Sequence, residues 1–368
     1  MGKKHASQYA NFGSLQFYKH FEFNFEKVLM NRYNNLNGFR AFCAIGIALM
    51  HILANISPTP HLHNITPVIE WFTNFVFLFF IISSFSLCCG YYERIKTGSI
   101  TLNCFYTKRY WRILPFFAFL SLIDIMIGFS KGSLFEAFMN CTLVFGLLPN
   151  NSLEVIGVGW FLGTVFLFYM LFPFFVFLMN SKKRAWFVLG ITIIINILCQ
   201  EYFFTEQFIN FNPGRHNILY SAPYFVIGGL LYLYRKEIHN WMNIIGGWML
   251  LFCLVLNIGY FLLPISDLLG HSLFPLLIVF TAYHMYALGS DKKWLHNKII
   301  DFLSGISMEI YLCHMVMFRV VERLHLENYI SDSNLNYVVT SVLTICLAIC
   351  FAYCVQRGLD KLLLKKIA

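Results

Sequence analysis

An arginine and a histidine, Arg40 and His51, stand eleven positions apart in one apolar run, 38–57. Eleven steps of ~100° return to within ~20° of the same helical face, with a rise of ~16 Å between the two groups. A guanidinium binds phosphate oxygens by charge-assisted hydrogen bonds. An imidazole takes a proton from a hydroxyl as a general base, or carries an acyl group transiently. A second deep histidine, His314, lies in Ile310-Tyr311-Leu312-Cys313-His314, with Ser307 and Glu309 on the same apolar run, 300–320. Asp124 is the acid of the run 112–129. The densest basic cluster, Lys108, Arg109 and Arg112, lies in the stretch Phe105–Pro115, read as a loop.

Each group also has a plainer reading. Arg40 can snorkel as an interface anchor. His51 can make one interhelical hydrogen bond, and His51, His314 and Asp124 can be three separate contacts of that kind. The basic cluster can mark topology or touch lipid headgroups.

The elements that carry these residues are membrane-spanning helices. The chain is 58% hydrophobic and 12% charged, with 41 Phe among 368 residues. A soluble domain carries about 25% charged residues. Apolar stretches near the ~20-residue spanning length run over 38–57, 71–92, 112–129, 158–180, 185–201, 217–234, 242–263, 271–288, 300–320 and 335–356. The reading is an all-α, polytopic transmembrane helix bundle of about ten spans. Residues 1–32 form an N-terminal segment, 33–357 the membrane domain and 358–368 a tail. The first ~30 residues show no cleavable signal peptide, and Phe12–Met30 reads as a surface segment or an ordered polar tail.

With ten spans and both termini cytoplasmic, most of the 27 Lys and Arg residues fall on the inner side. The outer side then holds Lys131, Arg215, Arg319 and Arg323. That asymmetry obeys the positive-inside rule. It would collapse if 134–149 also crossed, so this segment reads as an outer, interfacial or re-entrant piece. The net charge of +9 is thereby a topology signal and an inner anion site, not a nucleic-acid patch. The eleven cysteines form no CxxC pair or His/Cys cluster, so neither a disulfide framework nor a metal site is indicated. His271 and His284 read as interfacial, near the two ends of one helix. No pattern specifies an oligomeric state.

In this frame an ionisable group within a span costs ~2.5–3.5 kcal/mol on insertion scales and is a functional candidate by default. His51, His314 and Asp124 fall at similar depth, with Arg40 and the basic cluster nearer the inner surface.

Five blocks in order carry a resemblance. Asn35-Leu36-Asn37-Gly38-Phe39-Arg40-Ala41, with His51 eleven residues after Arg40, resembles the Arg-x10-His signature of the acyltransferase family 3 membrane proteins. Phe79–Phe85 resembles that family's FFxxSGF helix, with Ser84 where Gly is usual. Phe105–Pro115 resembles its basic segment, with Lys108 for the first Arg. Trp160–Pro173 resembles its WSL…FYLL.P helix, with Val165 and Phe166 where many members carry Glu. Ser307–His314 resembles its SYxIYLxH block, with Met308 for Tyr.

The resemblance implies an acyl-CoA-dependent O-acyltransferase of a bacterial inner membrane. It implies transfer, most commonly of acetyl from acetyl-CoA, to a glycan or lipid-linked sugar of the cell envelope, such as lipopolysaccharide O-antigen or capsule. His51 is then the catalytic base or acyl carrier, with His314 and Asp124 orienting it or relaying its proton. Arg40, Lys108, Arg109 and Arg112 hold the phosphates of the acyl-CoA. Trp160, Ser84 and Tyr311 contact substrate, and no metal is involved. The competing class is a proton-coupled transporter, which buried His, Asp and Glu also suit. The paired, interrupted segments of common carrier folds are not seen. A membrane scaffold in polysaccharide assembly is a third reading.

Overall fold

The computed structural model describes residues 33–127, 129–147, 155–203, 216–262, 273–289 and 292–365. The expected N-terminal segment 1–32, His271, Arg215 and the last residues of the tail lie outside them. Among the described residues there are helices and turns and no strand. Helix α1 (Leu36–Asn55) leads through α2 (Thr66–Trp71) and a turn into α3 (Phe75–Leu87), which a π-turn (Cys88–Tyr92) joins to α4 (Glu93–Lys96). Next come α5 (Leu102–Ile127), α6 (Lys131–Thr142), α7 (Trp160–Leu178), α8 (Lys182–Tyr202) and α9 (Ile218–Leu233). The chain continues as α10 (Arg235–Leu262), α11 (Leu273–Ala287), α12 (Lys298–Gly305), α13 (Ser307–Glu322) and α14 (Ser333–Lys365).

Seven of these stretches are long and apolar enough to cross a membrane, or eight if the bent pair α12–α13 counts as one span. Two further expected spans, 217–234 and 271–288, appear as α9 and α11, of 16 and 15 residues. At 1.5 Å per residue both are shorter than a ~30 Å hydrocarbon core. The segment 134–149 is not a spanning helix among the described residues. Ser130 caps the 12-residue α6 through a reciprocal pair with Ser133, and Leu143 ends it in a left-handed conformation.

Two further expectations are corrected. The stretch Phe105–Pro115 is the first half of α5, not a loop. Its side chains at 105, 109, 112 and 116 recur at helical spacing, and Pro115 is accommodated within the helix. The run 300–320 is two helices meeting at 71°. The break falls at Gly305-Ile306-Ser307, where Ser307 Oγ donates to the Ser304 carbonyl. Helices bend at such Gly/Ser steps because side-chain oxygens substitute for the backbone ladder. Helix α14 runs unbroken to Lys365.

Helix α3 is the hub. Its residues are buried nearly all round, and it packs on α1, α9 and α11. Burial on every side matches its uniformly apolar sequence. At the α3–α9 crossing Gly228 lies so close that a Cβ would come within 2.4 Å of the Ile81 carbonyl and 2.6 Å of Ser84 Cβ. Small residues permit such backbone approach where packing, not water, drives helix association. The outward faces are apolar instead of charged: Met126, Phe174, Phe177, Ile244 and Trp248 are all exposed. Such a skin suits lipid and would be an aggregation hazard in water.

Candidate active site

Three elements converge at the centre of the bundle. Helix α1 presents Arg40 and His51 from one face, α13 brings Glu309, Tyr311 and His314, and α5 brings the basic cluster. The imidazoles of His51 and His314 face each other with centroids 5.3 Å apart. His51 is half-buried, whereas His314 is buried completely. His314 Nδ1 lies 2.6 Å from the Tyr311 carbonyl oxygen. A carbonyl only accepts, so Nδ1 carries the proton and Nε2 keeps its lone pair. That Nε2 is buried with no hydrogen-bond partner. The pair is thus one accessible imidazole beside one whose tautomer is fixed by its own helix.

Tyr311 flanks the pair. Its ring lies 6.0 Å from that of His314, and its hydroxyl donates to the Val158 carbonyl at 2.9 Å. Trp160, the expected sugar platform, is half-buried, and one face is covered by the His216 ring stacked at 4.1 Å. Ser84 is elsewhere: fully buried, it packs at the α3–α9 crossing against Gly228. Asp124 does not join the histidines either. It is held by Arg319 at 3.5 Å, five residues beyond His314 on α13. The expected convergence of three groups is therefore, in the structure, a convergence of two.

Toward the start of α1, Arg40 donates to Ser86 Oγ at 2.5 Å and to Asn37 Oδ1 at 3.4 Å. These two bonds orient the guanidinium. Arg112 differs. It pairs with the buried Glu309 at 3.0 Å, and Gln356 of α14 bridges the two when its amide is oriented to satisfy both. Arg109 donates to the Tyr91 hydroxyl at 2.8 Å and lies over the Tyr91 ring, 4.7 Å from its centroid. Tyr91 reaches it from the π-turn, a feature often found at functional sites. Lys108 is half-buried beside Arg109 on α5.

Sequence reasoning missed the scaffold under Arg40. Asn37 accepts from Arg40 and donates to Asp301 at 3.0 Å, and Asp301 in turn meets His296 at 2.9 Å. Asn35 ties the start of α1 to the end of α11 and the residues after it by donating to the Ala287 carbonyl and accepting from the Lys292 N–H. Gly38 lets the helix lie directly on Leu295, whose carbonyl oxygen would be 2.6 Å from a Cβ there. The three asparagines just ahead of Arg40 were the available signal. His284 is also corrected. It is fully buried against Phe85, with both ring nitrogens unpartnered, and is not interfacial. Its position on α11 at one helix end suggested an interface, but α3 covers that end.

Among the described residues no group of three or more His, Cys, Asp or Glu side chains is arranged to hold a metal ion. A family model described as an acyltransferase domain matches residues 33–355. An uncharacterized protein of Haemophilus influenzae is 28% identical over 239 residues, which cover 55% of this chain and 96% of that protein. No solved structure matches the chain.

Proposed function

The chain belongs to acyltransferase family 3, and from that premise we propose that it moves an acyl group, acetyl first, from cytoplasmic acyl-CoA to a sugar hydroxyl of a cell-envelope polysaccharide such as O-antigen or capsule. The setting we propose is the bacterial inner membrane, with the acceptor on the outer side. The observation that carries this reading is the pair His51–His314, with His51 on the same helix as Arg40. Over the eleven residues from Arg40 to His51 the helix rises ~16 Å. That length suits a donor whose phosphates rest at Arg40 while a slim arm brings its thioester toward His51.

The residues fit such a donor. Arg40 offers an oriented charge, Arg109 is held in place by Tyr91, and Lys108 lies beside it. Arg112 contributes less, because Glu309 already balances it. In the transfer step His51 accepts the proton of the acceptor hydroxyl as the oxygen bonds to the acyl carbon. The carbon–sulfur bond breaks, and the sulfur leaves as a thiol, taking up that proton. His314 holds its lone pair toward the site and stabilises the proton on its neighbour. Trp160 offers its uncovered face to a sugar ring.

The test is radiolabel transfer from acetyl-CoA to envelope glycan in membranes holding wild type or His51→Ala. Label in the wild type that is lost in the variant supports the reading. Substrate-driven proton flux with no consumption of CoA would replace it with transport.

A further inference from the structure

Beyond the histidine pair, at the end of the bundle opposite Arg40, a half-open cavity of about 330 Å³ lies between the ends of α1 and α13 and the start of α14. We propose that this cavity is the acceptor subsite and that it takes a single uncharged sugar ring; the proposal rests on the acyl-transfer reading above. Its position comes from the helices that carry the chemistry. Phe318 and Val321, which line it, follow His314 by about one and two turns on the same face of α13. Ile56, also in its wall, follows His51 by five residues. By helix rise the floor therefore lies ~6–8 Å from the two imidazoles, with Phe318 as the first side chain between.

Its size and lining specify the occupant. The volume is at the lower end of the ~300–1,000 Å³ usual for ligand pockets, enough for about one pyranose. Two polar side chains in its wall are buried, Asn336 at 1% exposure and Thr340 at 5%. Thr340 Oγ1 donates to Asn336 Oδ1 at 3.3 Å. Among the described residues the Asn336 amide nitrogen has no hydrogen bond, so its donors remain for a guest. A polar occupant supplies the acceptors that such an amide can donate to.

The rim is close to charge-balanced. Glu322, Arg323 and Glu327 line it, and Glu327 is paired with His325 at 3.0 Å. Two carboxylates beside one arginine give no net attraction for an anionic sugar. They do supply the acceptors that ring hydroxyls need. Phe318 offers an apolar floor for the carbon face of the ring.

Saturation-transfer NMR tests this on the full chain in nanodiscs. The probes are methyl glycosides of glucose, galactose and N-acetylglucosamine, with methyl glucuronide as the anionic control. Signal is expected for at least one neutral glycoside and not for the glucuronide. Asn336→Leu and Glu322→Gln should each weaken it about tenfold, while binding of acetyl-CoA, measured by calorimetry, stays as in the wild type and reports that the variants are folded. Absence of signal from every neutral glycoside, preference for the glucuronide, or equal binding by both variants would overturn the proposal. If neutral glycosides bind in this pattern but acetyl-CoA does not bind wild type, the acyl-transfer reading fails and the sugar site stands. If acetyl-CoA binds and is consumed while the variants bind sugar normally, only the subsite is wrong.

Discussion

The imidazoles of His51 and His314 meet at 5.3 Å between centroids, although they belong to the first and the penultimate long helices of the chain. One is reachable, and the other is sealed and held in a single tautomer by the Tyr311 carbonyl. Most of what can be tested follows from that asymmetry and from the supports around it.

His51→Ala should lower acyl transfer by at least ~10²–10⁴-fold, the usual worth of a positioned general base. Insertion and thermal unfolding should be unchanged, since the side chain is only half-buried. Membrane fractionation with a melting curve separates the two effects, and full activity would remove His51 from the chemistry.

His314→Gln tests the sealed partner. Glutamine keeps a polar side chain but has no imidazole lone pair to set toward His51. The expectation is a fall in turnover with donor affinity retained. Loss of both together would mean that the residue holds the bundle together and does nothing more.

Arg40→Ala removes an oriented charge whose described bonds go to Ser86 and Asn37. Charge-assisted bonds of this kind are worth about 1.5–3 kcal/mol, so acetyl-CoA affinity should drop about 10–100-fold. An acetylated pantetheine, which lacks the nucleotide phosphates, should bind wild type and variant alike. Calorimetry on both ligands decides whether Arg40 acts on phosphate.

Arg112→Ala leaves Glu309 buried at 1% exposure without its cation. Breaking such a pair costs ~3–5 kcal/mol when both members are buried, and less here because Arg112 is partly exposed. A melting temperature several degrees lower is expected, restored largely by adding Glu309→Gln. A large loss of donor affinity with no change in melting would instead return Arg112 to the phosphate site.

Gly228→Val should loosen the α3–α9 crossing, because even a Cβ meets the Ile81 carbonyl at 2.4 Å. Overpacking of this kind costs ~1–3 kcal/mol or more. Thermal unfolding in detergent reads it, and Gly259→Val, where a Cβ meets nothing within 4 Å, is the control.

The amino-acid sequence by itself determined the class of the molecule. Apolar runs of spanning length allow little besides helices, since a lipid-embedded backbone must satisfy its own hydrogen bonds. It also determined that Arg40 and His51 share a face, because both lie on one helix whose geometry is regular. The family was legible for the same reason: its motifs are short and local. Only the tertiary structure decided which distant groups meet. His314 reaches His51 while Asp124 turns to Arg319, a choice made by helix rotation and crossing, which apolar periodicity does not encode. The close approach of Ser84 to Gly228 across the α3–α9 crossing is likewise a matter of tertiary packing. The 71° break before Ser307 and the helix through Phe105–Pro115 were hidden too. Both depend on which neighbours cover a backbone whose local sequence permits either form.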